Sequence, residues 1–118
     1  MRNTVGGLMI GLMLLSGVAL ADDGWKSLNG DEARTALSGQ KLIYQGGASQ
    51  SFSAGGDTSY VTDHPQAGSW RIEGDKYSSV WPPSDHWACY RLESSADGKT
   101  VRFIADDGSM TEGQVAGN

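Results

Sequence analysis

Cysteine is nearly missing from this chain, with Cys89 alone among 118 residues. A lone thiol makes no internal disulfide, so packing has to hold the fold, and Cys89 is left as a buried thiol, an intermolecular bridge or a reactive group. Histidine is almost as scarce, being confined to His64 and His86. Those two and Cys89 stand at no recognisable ligand spacing, which excludes an evident zinc site. Asp106-Asp107-Gly108-Ser109 lacks the alternating oxygen ligands and distal Glu of an EF-hand and reads as a hairpin turn. No Gly-rich phosphate loop leads into a helix and no Gly-x-Ser-x-Gly elbow occurs, so neither a metal nor an organic cofactor is implied. Basic residues are outnumbered, 9 Lys and Arg against 14 Asp and Glu. They are scattered, whereas a phosphate-tracking surface needs them clustered, which argues against nucleic acid and anionic lipid as partners.

The first segment, residues 1–21 (MRNTVGGLMIGLMLLSGVALA), has a basic start, an apolar run from Val5 and the small-residue ending Ala19-Leu20-Ala21. That is the pattern of a cleaved secretory signal peptide, and the apolar run is shorter than the ~20 residues of a bilayer span. Cleavage after Ala21 predicts one small domain over residues 22–118, periplasmic or extracellular, without stable membrane insertion. Loss of Arg2 makes it more acidic still.

Within that domain one helix is predicted near residues 30–38. Asn29 and Glu32 have the spacing of a capping box, Leu28 can staple onto Ala33, and Gly39 supplies a left-handed stop. With Trp25, Leu28 and Leu37 as its apolar contacts, it is expected over one end or edge of something larger. Beyond Gly39 the pattern changes to short β-type segments at 42–45, 50–53, 58–62, 69–73, 77–81, 87–92, 100–105 and 110–115. Turn signatures separate them, among them Gly46-Gly47, Gly74-Asp75 and Asp97-Gly98, and the glycines read as turn markers. The fold class is therefore mainly β: a small antiparallel barrel or sandwich of about eight short strands with one short helix. Alternation puts Trp70 with Ile72 on one face, and Tyr90 with Leu92 opposite Cys89 and Arg91.

Residues 74–93, GDKYSSVWPPSDHWACYRLE, concentrate aromatics, two of the 3 prolines and the cysteine. Large aliphatics are few, so most aromatics are needed in the core, which makes Tyr77, Trp81, Trp87 and Tyr90 a hairpin braced around Pro82-Pro83. The alternative is a stiff loop in which Trp81, Pro82, Pro83, His86 and Trp87 form a recognition patch for a protein or a small apolar ligand. Catalysis by Cys89 would need His86 as its base, yet three residues along an extended chain put the two on opposite faces. A paired-carboxylate glycosidase cleft has little room in a domain this small.

Gly68-Ser69-Trp70, then Gly74 through Trp81-Pro82-Pro83, then Trp87-Ala88-Cys89-Tyr90, with Arg102-Phe103-Ile104 and a late Asp-Gly turn, resembles a family of small, functionally uncharacterised exported proteobacterial proteins. The resemblance implies an exported β domain and no established activity. It also implies a second cysteine near the position of Ser78, which this chain lacks. A hairpin centred near Ser84 would set Ser78 opposite Cys89. Together these readings predict a non-enzymatic exported domain that binds a protein partner or a small apolar ligand, in one version as an inhibitor of a secreted hydrolase. A thiol enzyme using Cys89 and a structural envelope component are the alternatives.

Overall fold

A computed structural model describes residues 24–116; the signal segment lies outside the described residues. Strand β1 (Lys26–Ser27) and helix α1 (Gly30–Leu37) come first. Eight further strands follow: β2 (Lys41–Tyr44), β3 (Ser49–Phe52), β4 (Asp57–Val61), β5 (Pro65–Glu73), β6 (Lys76–Val80), β7 (Ala88–Ser94), β8 (Thr100–Ile104) and β9 (Met110–Val115). Each pairs antiparallel with the next, and β9 returns to pair with β2 through Leu42↔Val115 and Tyr44↔Gly113. This closes an eight-stranded antiparallel barrel, which removes the free strand edges that a sandwich would have to protect. Short β1 lies outside the circuit, pairing with the end of β7 through Lys26↔Ser94.

Cross-strand partners Glu73, Lys76, Arg91, Ile104 and Met110 form one continuous row. Glu73 and Lys76 flank the β5–β6 turn at one end of the barrel, whereas Ile104 and Met110 flank the β8–β9 turn at the other. A row perpendicular to the strands thus climbs the barrel's height, so the strands are strongly tilted and staggered. Stagger widens an eight-stranded barrel until its interior can hold a small molecule as well as side chains. The same slant brings Lys76 Nζ within 3.5 Å of Asp106 Oδ1.

Helix α1 forms because both halves of its capping box are made: the Asn29 side chain accepts from the Glu32 N–H at 2.9 Å, and Glu32 Oε1 accepts from the Asn29 N–H at 2.9 Å. The helix starts against the β5–β6 turn, where the Gly30 N–H donates to Asp75 Oδ1 at 2.9 Å. Its end is fastened where the Gly39 N–H donates to the Phe52 carbonyl at 2.7 Å, with Gly39 at φ 76°. Ala33 and Leu37 are fully buried in one cluster with Leu42, Phe52, Trp70, Leu92 and Val101. Those strand residues face inward, so α1 closes this end of the barrel.

Two expectations change. Trp25 does not join the helix contacts: the β1–β7 pairing carries it onto the outer wall, where the Arg102 guanidinium stacks 3.7 Å from its ring. The strand expected at 69–73 begins earlier, because Pro65 already pairs with Val61 as the first residue of β5, a position that tolerates a missing N–H.

Candidate functional site

The end away from α1 is ringed by the turns after β2, β4, β6 and β8 and opens into a concavity of about 1110 Å3. Ile43, Thr100, Glu112 and Gln114 belong to its lining but face outward by strand alternation, so this volume covers the mouth together with the outer flank of β2, β8 and β9. The inner part is lined by Tyr44, Gln50, Tyr60, Tyr77, Ser79, Trp81, Tyr90 and Phe103, with Gln66 and Thr111 inward beside Tyr60 and Phe103 as their cross-strand partners.

Gly68 explains how Trp81 comes to line it. Thr58, which pairs with Gly68, is buried and inward-facing, so Gly68 faces inward too. A Cβ at residue 68 would lie 2.6 Å from Cε3 of Trp81 and 2.7 Å from the Val80 carbonyl oxygen. The missing side chain is the space the indole fills. From there Trp81 meets Tyr60 edge-on, with ring centroids 6.2 Å apart. Gly113 does the same for Tyr44, whose Cε1 a Cβ there would approach to 2.9 Å. Neither glycine is in a turn, so the reading of glycines as turn markers fails at these two positions.

Below the aromatic rim lies a buried polar cluster. The Tyr44 hydroxyl donates to Gln50 Oε1 at 2.6 Å, and Gln50 Nε2 donates to Thr58 Oγ1 at 2.9 Å and to the Tyr77 hydroxyl at 3.2 Å. Thr58 Oγ1 donates onward to the Ser51 carbonyl at 2.8 Å. The amide of Gln50 is thereby fully engaged. Burial pushes the Tyr44 hydroxyl well above the ordinary tyrosine pKa, with Tyr77 and Tyr60 adding to the shift. Burial raises Tyr77 as well, against opposing pulls from Ser79 and Gln50. Both phenols are therefore neutral at any physiological pH. No Lys, Arg, Asp, Glu or His stands among the inner lining residues.

The residues singled out in the sequence separate into three places. Trp81 turns into the barrel mouth. Pro82, Pro83 and His86 are exposed on the β6–β7 connection at the rim, where the Ser84 N–H donates to the Trp81 carbonyl at 3.0 Å and the His86 N–H to Ser84 Oγ at 3.1 Å. Trp87 goes to the outer wall, where the Arg71 guanidinium stacks 3.8 Å from its ring. On that same wall Ser78 and Cys89 are cross-strand partners with their side chains in contact, the register anticipated for this hairpin. Ser78 is fully buried although it points away from the interior.

Gln50, Ser79 and the tyrosines at 44 and 60 were missed as site residues. Their signal was present as polar side chains at the alternate positions that carry Phe52 and Tyr77 inward. Among the described residues no group of three His, Cys, Asp or Glu side chains is placed to hold a metal ion, and no helix is long and apolar enough to cross a membrane. Fold and site together describe a closed up-and-down barrel, blocked by a helix at one end and aromatic at the other. No family model matches the chain, and neither a curated protein nor a solved structure does.

Proposed function

We propose that this is an exported, non-enzymatic binding protein whose barrel takes a small apolar ligand through the end opposite α1. The observation that carries the reading is the inward turn of Trp81 over Gly68 into a mouth lined by Tyr44, Tyr60, Tyr90 and Phe103. An indole used only for core packing belongs in the helix-side cluster with Trp70 and Phe52, whereas Trp81 is only partly buried, at the opening. Aromatic walls with a few convergent polar groups are the usual make-up of a small-molecule site. The exposed Pro82, Pro83 and His86 form part of the rim over which a ligand passes. Cys89 lies on the outer wall against Ser78, away from this mouth, which favours binding over thiol chemistry.

A neutral environment-sensitive probe such as N-phenyl-1-naphthylamine tests the reading by titration against the secreted protein. Saturable enhancement of its emission, lost in Trp81→Ala, is expected. At a free concentration a hundredfold above Kd it should stabilise the fold by about 2.7 kcal/mol and raise Tm by several degrees. Absence of saturable binding by any apolar probe would remove the reading.

A further inference from the structure

The polar cluster beneath the rim ends in hydroxyls rather than in charges. Gln50 Nε2 uses its two hydrogens on Thr58 Oγ1 and the Tyr77 hydroxyl, so Tyr77 is an acceptor there and its own proton has to point elsewhere. Ser79, two positions along the same face, stands as a hydrogen-bond neighbour of that hydroxyl. Two hydroxyls that share a hydrogen bond keep one proton between them, and among the described residues no other acceptor is placed to receive it. Tyr77 and Ser79 are 3% and 5% exposed, and both line the cavity. A buried hydroxyl proton is costly to leave unpaired, so the one this pair keeps, beside a cavity, marks where a partner belongs.

We propose that the ligand is a neutral apolar molecule carrying a hydrogen-bond acceptor, such as a carbonyl oxygen, at its leading end, which enters past the rim formed by Trp81 and Tyr60 and receives a hydrogen bond from the Tyr77–Ser79 pair. This rests on the ligand-binding reading above and specifies its chemistry. An apolar body follows from the walls, since Tyr44, Tyr60, Trp81 and Tyr90 line the mouth with aromatic rings. Neutrality follows from the lining: an anion would be desolvated with no cation to pair it, and a cation would find ring faces but no carboxylate. The acceptor follows from that free proton, because Gln50, the one buried amide of the lining, has both N–H groups and its carbonyl already engaged.

Four naphthalenes of nearly equal shape separate the possibilities when titrated by calorimetry into the full secreted protein: 2-acetylnaphthalene, 2-ethylnaphthalene, 2-naphthoate and a 2-naphthyl trimethylammonium salt. The ketone is expected to bind roughly three- to tenfold tighter than the ethyl compound, the range one net hydrogen bond supplies. Both ions should bind more weakly than the ketone. Ser79→Ala should shrink the ratio of the ketone's affinity to that of 2-ethylnaphthalene; Tyr77→Phe, checked for folding by circular dichroism, should do the same. Equal binding of ketone and hydrocarbon, or tighter binding of either ion, overturns the proposed chemistry while leaving the barrel a binding protein. Failure of all four to bind overturns both.

Discussion

At position 68 the chain has no room for one methyl group. The conflict is with the Val80 carbonyl as well as with the Trp81 ring, so swinging the indole away cannot relieve it, and the ladder itself has to move. Gly68→Ala is therefore expected to cost ~1 to 3 kcal/mol, the range for overpacking, and to expose Trp81 to water. A chemical melt followed through tryptophan emission checks both, and a wild-type midpoint with unshifted emission would show the contact to be compliant. Ser78→Cys makes the opposite kind of test, adding a bond where two side chains already touch. Under oxidising conditions the new thiol should bridge to Cys89 and stabilise by up to ~2 to 3 kcal/mol, as read by thiol counting and by the loss of that gain on reduction. This register was legible because two prolines and a polar stretch centre the β6–β7 hairpin. The site beneath it was not. Gln50, Thr58 and Ser79 are polar, and a polar residue in a two-residue alternation reads as the wet face; only a closed barrel with a gap in its packing turns such residues inward.

Among the elements, α1 was the most legible, because a capping box is a local device whose spacing is written directly in Asn29 and Glu32. Its closing role depends on those caps. Asn29→Ala should cost ~1 kcal/mol by leaving the Glu32 N–H without its acceptor, and hydrogen exchange should quicken first in residues of α1 rather than in the ladders. The connection between β6 and β7 divides its two indoles between inside and outside, a split the sequence suggested without saying which went where. Trp87→Ala is expected to lose little more than its stacking on Arg71, about 0.5 to 1 kcal/mol, and to keep probe binding intact. Trp81→Ala should abolish probe binding. Reversal of the two, read by titration and melting on the same samples, would place the recognition surface on the outer wall.

For the whole molecule, the burial of Tyr44 and Tyr77 ties stability to alkaline pH. Their folded pKa values are raised above the unfolded value of about 10, so their contribution is fully present below that pH and is lost as pH rises beyond it. The barrel should consequently weaken above pH ~10, with phenolate absorbance from these two appearing together with loss of the β-sheet circular dichroism rather than before it. Tyr44→Phe should reduce the alkaline loss. Barrel and sandwich were indistinguishable in the sequence because the closing contact joins β2 to β9, and nothing local in either strand advertises a partner so far along the chain.

That closure also sets a clock. Seven of the eight barrel ladders join neighbours in sequence and can form as hairpins, but the eighth has to wait until nearly all of the domain is available. Loop-closure entropy is spent before the β2–β9 contact returns anything, which places the chain among the slow all-β folders, in the millisecond-to-second range. Until then the edges of β2 and β9 remain unpaired templates for another copy of the same chain. On the export proposed above, a chain crossing a membrane unfolded would carry that hazard until its last strand arrived, and translocation and folding would form a single ordered event.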